Sequence, residues 1–328
     1  MDYEQLTRKK QQLDGYRPLP PALVHNLDAW FRVELTHTSN AIEGNTLTRR
    51  ETAAVIEKGL TVGGKSLREH LEATNHARAL DSLHALVKKR PSQFTSHHLL
   101  SLHGLILRGI DDTNAGRYRS VPVRISGSPV VMPNPLKVPN LMQEFLAWLT
   151  ARNSLHPVAF AVQAHYGLVT IHPFVDGNGR TARLLMNLLL RMRGYPPAII
   201  HPRDRLAYIG ALEQAQLGGS REQFDALIAR AVSRSLDIYL KAARGESAQA
   251  EPREVTLMKI GELASAVGAT VPTIRYWTAQ GLLSVAEVRP SGYQMYAPTM
   301  VERCKRIRTL QEQRLTLAEI KSRLAQLQ

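Results

Sequence analysis

The sequence is short of several things, and each shortage narrows what the chain can be. Cys304 is the one cysteine in 328 residues, so no intrachain disulfide and no cysteine-ligated metal centre can form, which fits a reducing cytoplasm. No apolar run approaches the roughly 18 residues of a membrane-spanning helix, and the opening Met1-Asp2-Tyr3-Glu4-Gln5 lacks the basic-then-apolar build of a signal peptide. The expected location is the cytosol, with no membrane partner. Acids are outnumbered, 28 Asp and Glu against 42 Lys and Arg, for a net charge of +14. Such an excess suits a polyanionic partner (nucleic acid, nucleotide or an acidic protein surface) and equally a basic surface that only aids solubility. No internal repeat of fixed period appears.

What is present is a hydrophobic content of 44%, enough for a real core and, at this length, for two domains. Apolar residues fall mostly at helical spacing: Leu141, Phe145, Trp148 and Leu149; then Val158, Ala161, Val162, His165 and Leu168; then Leu184, Leu188 and Met192. The chain reads as mainly α. One exception is residues 117–135, RYRSVPVRISGSPVVMPNP, where Val121, Val123 and Ile125 alternate, Gly127-Ser128 follows and Val130-Val131 resumes. That pattern predicts a β-hairpin. Residues 243–254, ARGESAQAEPRE, are small and polar with a proline and no apolar periodicity, and mark a linker.

The densest stretch is residues 171–187, IHPFVDGNGRTARLLMN. A helix is expected from about Pro157 to Ile171 and another, apolar on most sides and therefore buried, over Arg180 to Met192. Between them Gly177 and Gly179 let the backbone turn tightly with bare N–H groups at the start of the second helix, a place that attracts phosphate. Arg180 and Arg183, three apart, share a helical face and can address successive phosphates. Asp176 supplies a hard oxygen for Mg²⁺. His172, on the other rim, can take a proton from a hydroxyl near pH 7. Each part alone has a bland explanation as a cap, a turn or a solvated arginine. Their order within twelve residues assembles a base, a metal ligand, an anion cradle and a phosphate clamp.

His172-Pro173-Phe174-Val175-Asp176-Gly177-Asn178-Gly179-Arg180-Thr181-Ala182-Arg183 resembles the signature of the Fic (Fido) family, His-x-Phe-x-Asp/Glu-Gly-Asn-Gly-Arg-x-x-Arg, and matches every specified position. The resemblance implies transfer of AMP from ATP to a hydroxyl side chain of a target protein. By that resemblance His172 is the base, Asp176 holds Mg²⁺ between the α and β phosphates, Gly177, Asn178 and Gly179 form the anion hole, and Arg180 and Arg183 bind the β and γ phosphates. The predicted hairpin corresponds to the family's flap, which aligns the target segment by strand addition.

Upstream, HTSNAIEGN at residues 37–45 places Ser39 and Glu43 four apart on one face of a helix, with Gly44 as a C-terminal cap. It also resembles the family's inhibitory pattern Ser/Thr-x-x-x-Glu-Gly/Asn. That resemblance implies Glu43 against Arg183, in the γ-phosphate position, and an enzyme held nearly silent until Glu43 moves. By contrast, GLTVGGKS at 59–66 satisfies a P-loop pattern, yet RRETAAVIEKG before it is spaced as a helix. Gly63-Gly64 therefore reads as a turn and Lys65 as no phosphate ligand. His97-His98 is too close in spacing for a helical metal pair.

Residues 258–283, MKIGELASAVGATVPTIRYWTAQGLL, read as two short helices joined at Val267-Gly268, with Val271, Ile274 and Trp277 facing inward from the second. The run resembles the MerR-type winged helix-turn-helix, with Arg289, Gly292-Tyr293 and Tyr296 in the wing. The resemblance implies DNA contacts from Thr273, Arg275, Tyr276, Arg289 and Tyr293. Gln294 stands where that family usually has a phosphate-gripping arginine, and the sequence reaches Gln328 without the long dimerisation helix.

The expected organisation is an N-terminal helical region over 1–94 carrying the inhibitory motif, a Fic-type helical bundle with a β-hairpin flap over 95–243, a linker over 244–256 and a winged helix-turn-helix over 257–328. The expected function is an autoinhibited protein adenylyltransferase using ATP and Mg²⁺. Its partners would be a protein presenting a Tyr, Ser or Thr hydroxyl, DNA, and a second copy of the chain. The domain pairing suggests a bacterial protein. Two alternatives stand beside it: a DNA-binding regulator whose Fic domain only senses nucleotide, and a Fic enzyme that removes AMP or transfers another phosphate-linked group.

Overall fold

The computed structural model describes residues 3–151, 154–246, 257–288, 294–313, 315 and 317–325. The chain divides into two compact units, Met1–Ser247 and Ala248–Gln328.

The first unit is helical. Its elements run α1 (Tyr3–Asp14), α2 (Pro21–Ile42), α3 (Arg49–Lys58), α4 (Leu67–Val87), α5 (Ser96–Leu107), α6 (Val138–Thr150), α7 (Pro157–Ile171), α8 (Asn178–Met192), α9 (Arg205–Gln216) and α10 (Glu222–Ala243). Local chemistry sets many of the boundaries. Thr48 with Glu51, and Ser66 with Glu69, form reciprocal capping boxes that start α3 and α4. Pro157 opens α7, where its missing N–H costs nothing, and His172 closes that helix in a left-handed conformation at φ 51°.

Helix α8 lies at the centre. Every residue from Thr181 to Leu190 is buried, and the helix packs most extensively on α7, with α4, α5 and α2 against its other sides. One continuous apolar core joins Leu6 and Leu13 of α1, Phe31 of α2, Leu99 of α5, Leu188 of α8 and Phe224 of α10. Because α1 lies along α10, the N-terminal helices and the helices after α8 belong to one core.

The segment expected as a hairpin differs from that expectation. Residues 117–135 form an extended loop with a single antiparallel bridge, Arg124 to Val131, around the Gly127 turn. Val121 and Val131 are 50% and 78% exposed, while Val130 and Met132 on the returning side are buried, so only one side has an apolar face against the core and two full strands are not stabilised.

The second unit holds α11 (Ile260–Val267), α12 (Val271–Ala279), α13 (Thr299–Glu312) and α14 (Leu317–Ala325), with a three-stranded antiparallel sheet ordered β1-β3-β2 from Met258–Lys259, Glu287–Val288 and Gln294–Tyr296. Gly268 ends α11 in the left-handed region, and the Thr270 hydroxyl caps α12 by accepting the Thr273 N–H. Leu263, Ile274, Trp277, Tyr296 and Cys304 form its own core. Arg303 and Arg308 donate to the Leu282 and Val267 carbonyls.

Truncation at the centre of α8 tests this arrangement. Leu188→Ala, at a fully buried position, is expected to cost about 2–5 kcal/mol. Urea unfolding of the first unit should show a lower midpoint at an unchanged slope.

Candidate active site

The loop between α7 and α8 is built to stay rigid. Asn178 folds back on Phe174, its Oδ1 accepting the Phe174 N–H and its Nδ2 donating to the Phe174 carbonyl, both at 2.9 Å. Phe174 is fully buried and stacks on His103 with ring centroids 3.6 Å apart. His103 Nδ1 accepts the Gly116 N–H, which leaves its Nε2 to donate to the Asp176 carbonyl at 2.9 Å. Burial pushes the His103 pKa down to about 4, so the ring is neutral and its tautomer fixed.

Helix α8 begins earlier than its apolar pattern predicts, at Asn178, with Gly177 as a left-handed N-cap at φ 77°. The two loop glycines have different reasons. Gly177 supplies the backbone angle, whereas Gly179 lies in the first turn of α8 and supplies room: a Cβ there would collide with the Glu43 carboxylate and approach Arg183 Nη1 to 3.0 Å. The Asn178, Gly179 and Arg180 amides belong to the first helical turn, which has no intrahelical acceptors for them.

Arg183 is 4% exposed and surrounded by acceptors from α2. Its Nε donates to Ser39 Oγ at 2.9 Å, and its Nη2 donates to the Ser39 carbonyl at 2.9 Å and to Glu43 Oε1 at 2.7 Å. Ser39 and Glu43 thus meet the same guanidinium, as their four-residue spacing allows. Burial opposes the charge on Arg183, but Glu43 and Tyr208 together overcome it and leave the pKa raised. Beyond Nη1 the Tyr208 hydroxyl lies at 3.5 Å and in turn bonds His165 Nε2 at 2.8 Å. The seat of Glu43 is tied down from several sides. Arg205 Nε donates to the Ile42 carbonyl, Asn40 Nδ2 to the Glu72 carbonyl, and Asn45 Nδ2 to the Glu69 carbonyl and Glu72 Oε2. The Glu43 side chain nevertheless keeps 37% of its surface open to solvent.

Arg180 takes a different position from that expected. Its side chain is 2% exposed and runs toward α4, with Nη1 3.4 Å from Glu72 Oε1 and Nη2 3.3 Å from Asp176 Oδ1. Asp176 Oδ1 also accepts the Gly177 N–H at 2.6 Å, and its Oδ2 accepts Arg68 Nη2 at 2.9 Å. Arg68 Nε reaches back to Glu72 Oε1 at 3.3 Å. Two carboxylates and two guanidiniums therefore alternate in a closed ring. Burial pushes the Asp176 pKa up, but Arg180, the Gly177 N–H and Arg68 together overcome it and leave it below the ordinary carboxylate value. Among the described residues no group of three or more His, Cys, Asp or Glu could hold a metal ion, so a cation at Asp176 would depend on ligands from outside the chain.

His172 stands at the end of α7, its pKa lowered chiefly by burial, with the Val169 carbonyl opposing and Arg119 adding to the drop. It is neutral at pH 7. Arg119, 3% exposed, was not singled out by sequence reasoning, yet it joins the loop to the flap segment. Its N–H donates to the Pro173 carbonyl and its side chain to the carbonyls of His172, Val121 and Pro133. Arg68, Glu72, Tyr208 and His103 were missed too. The Arg68 and Glu72 i,i+4 spacing was the only sequence signal for any of them.

Lys65 Nζ donates to the Thr46 carbonyl and hydroxyl, and α3, a helix, precedes its loop. His98 Nδ1 accepts the Thr95 N–H. In the second unit, Arg275 and Tyr276 are exposed on α12 and Thr273 is partly buried beside Thr270. Gln294 accepts a hydrogen bond from the Tyr296 hydroxyl, which also contacts Thr278. Arg289 and Tyr293 lie outside the described residues.

Comparison with known proteins follows the same division. The Fic/DOC family matches residues 93–190 and the MerR HTH family regulatory proteins match residues 258–327. A curated protein adenylyltransferase Fic from Nematostella vectensis is 38% identical over 244 residues, covering 73% of this chain and 56% of that protein. The chain spans about half the length of the curated relatives it matches (52%, 56% and 42% for three of them). Among solved structures, Fic-1 (aa134–508) from C. elegans superposes with a TM-score of 0.68 at 31% identity over 75% of this chain and 74% of that one. A Fic domain containing signaling protein from Bacteroides thetaiotaomicron superposes at 0.69 with 29% identity, over 75% of this chain and all of its own.

The histidines packed around the arginines set a pH dependence. His76 and His165 are held neutral with pKa about 3, and His103 with about 4, in each case mainly by burial, against 6.5 when exposed. Below that value the unfolded chain binds protons that the folded chain refuses, so stability must fall as pH drops. Between about pH 6.5 and 5, where ordinary carboxylates stay ionised, the urea midpoint is expected to decline steadily. His76→Gln should flatten that decline.

Proposed function

The chain belongs to the Fic/DOC family, and on that premise we propose that it transfers AMP from ATP to a hydroxyl side chain of a target protein, under restraint by Glu43. The observation that carries the proposal is Arg183, a buried guanidinium at the start of α8 that donates to Glu43 at 2.7 Å beside amides lacking helical acceptors. A buried cation next to free N–H groups is a triphosphate-binding arrangement, and Glu43 would occupy it in place of the γ-phosphate.

In the reaction His172, neutral at pH 7, takes the proton of the target hydroxyl. The hydroxyl oxygen attacks the α-phosphorus, the bond from that phosphorus to the bridging oxygen breaks, and pyrophosphate leaves. The amides of Asn178, Gly179 and Arg180 steady the charge on the phosphate oxygens, the Gly177 N–H being engaged by Asp176 Oδ1. Arg183 takes the γ-phosphate once Glu43 withdraws. Arg180, pinned between Glu72 and Asp176, is the less mobile of the two and orients Asp176 more than it reaches outward. Mg²⁺ would be held by Asp176, an ionised and half-exposed carboxylate, together with phosphate oxygens; when bound it would neutralise charge on the triphosphate. The flap loop, with one bridge and open edges at Val121 and Val131, would accept the target segment as an added strand.

For the second unit we propose DNA binding through α12, with Arg275 and Tyr276 on its exposed side, two copies of the chain reading two half-sites. Arg275→Ala should weaken binding to any DNA sequence and reduce its salt dependence by about one charge.

ATP labelled separately at the α and γ positions tests the enzymatic proposal. Glu43→Gly is expected to raise α-label transfer to protein by roughly 5- to 150-fold, the range of an allosteric coupling. Adding His172→Ala should lower it by about 10²–10⁴-fold. Transfer of the γ label would assign a different phosphoryl chemistry, and nucleotide binding without transfer of either label would leave the domain a sensor.

A further inference from the structure

Arg68 is out of place on its own helix. It occupies the first turn of α4, where the helix dipole disfavours a cation, and 60% of its side chain is exposed. Its position is nonetheless specific, with Nη2 2.9 Å from Asp176 Oδ2 and Nε 3.3 Å from Glu72 Oε1. The i,i+4 pair with Glu72 ties the guanidinium to its own helix, and the second contact carries it off that helix to the carboxylate of Asp176.

The four members of the charge ring differ in their freedom. Arg180 is 2% exposed and Glu72 11%, the latter also bonded by Asn45, while Asp176 Oδ1 is committed to the Gly177 N–H and Arg180. Asp176 Oδ2 is held by Arg68 alone among the contacts described. A divalent cation approaching Asp176 needs the oxygen that Arg68 occupies and repels the guanidinium at close range. The long exposed side chain of Arg68 can swing away at little cost.

We propose that Arg68 is a placeholder for the divalent cation: before nucleotide binds, its guanidinium neutralises Asp176 through Oδ2, and it must leave that oxygen for Mg²⁺ to take it. Arg68 is thus a positioning residue. It holds the Asp176 carboxylate in its orientation through Oδ2, and it sets a threshold that cation and nucleotide must overcome together. The proposal rests on Asp176 as the Mg²⁺ ligand of the nucleotide site.

Mn²⁺ titration followed by electron paramagnetic resonance, on the full chain carrying Glu43→Gly with a non-hydrolysable ATP analogue, tests it without reference to turnover. Arg68→Gln should tighten Mn²⁺ binding about two- to five-fold, the scale of a partly exposed ion pair. Arg78→Gln, which removes an exposed charge further along α4 and outside the ring, should leave it unchanged. Equal tightening in both variants would reduce the effect to net charge and overturn the proposal. Unchanged or weaker binding in Arg68→Gln would also overturn it, weaker binding making Arg68 a phosphate ligand. Asp176→Asn reports on the premise separately: if Mn²⁺ affinity survives that change, the assignment of Asp176 is what fails, and the placeholder with it.

Discussion

The guanidinium of Arg183 is the constraint around which the first unit is arranged. A charge that is 4% exposed must be answered by acceptors, and here Ser39, Glu43 and Tyr208 supply them from two other helices. Removing one acceptor from a buried cation is costly unless another anion arrives. That asymmetry lets one buried charge hold α2 in place and, in the function proposed, would favour the triphosphate that replaces Glu43. Glu43, with a third of its side chain open to solvent, is the partner able to leave.

A second set of contacts links this pair to the Asp176 side of the loop. Asn45, two residues beyond Glu43, holds Glu72 through Nδ2, and Glu72 holds both Arg180 and Arg68. Withdrawal of the α2 terminus would therefore slacken the charge ring as well as free Arg183. Glu69, whose pKa is lowered to about 2 by its bonds to Thr46 and Ser66, ties the same segment to the start of α4. The segment that carries Glu43 is fastened to α4 and not merely laid across α8.

Much of this was legible in the sequence because the informative residues are local. The run from His172 to Arg183 is a short pattern whose chemistry follows from residue type and spacing; the spacing of Ser39 and Glu43 gave only a shared helical face, and Glu43 against Arg183 was what the family resemblance implied. The helical core followed from periodicity, and the two helices with their Gly268 turn from apolar positions and glycine. Contacts between distant segments were not legible. Nothing in LREHLE at 67–72 says that the start of α4 faces the α7–α8 loop, so the sequence did not single out Arg68 or Glu72. Gly179 looked like a turn glycine because the crowding by Glu43 comes from more than a hundred residues away. The hairpin was legible in its turn and only partly in its pairing: alternation at Val121, Val123 and Ile125 marks extended backbone, and with little of that side buried the two sides meet at one bridge, Arg124 to Val131.

The central claim is that Glu43 and the tail of a triphosphate compete for one guanidinium. A crystal structure of the Glu43→Gly chain with a non-hydrolysable ATP analogue tests this most directly. The account predicts γ-phosphate oxygens within hydrogen-bond distance of Arg183, in the space that the Glu43 carboxylate fills in the unmodified chain. An analogue bound elsewhere, with Arg183 still held only by Ser39 and Tyr208, would contradict it.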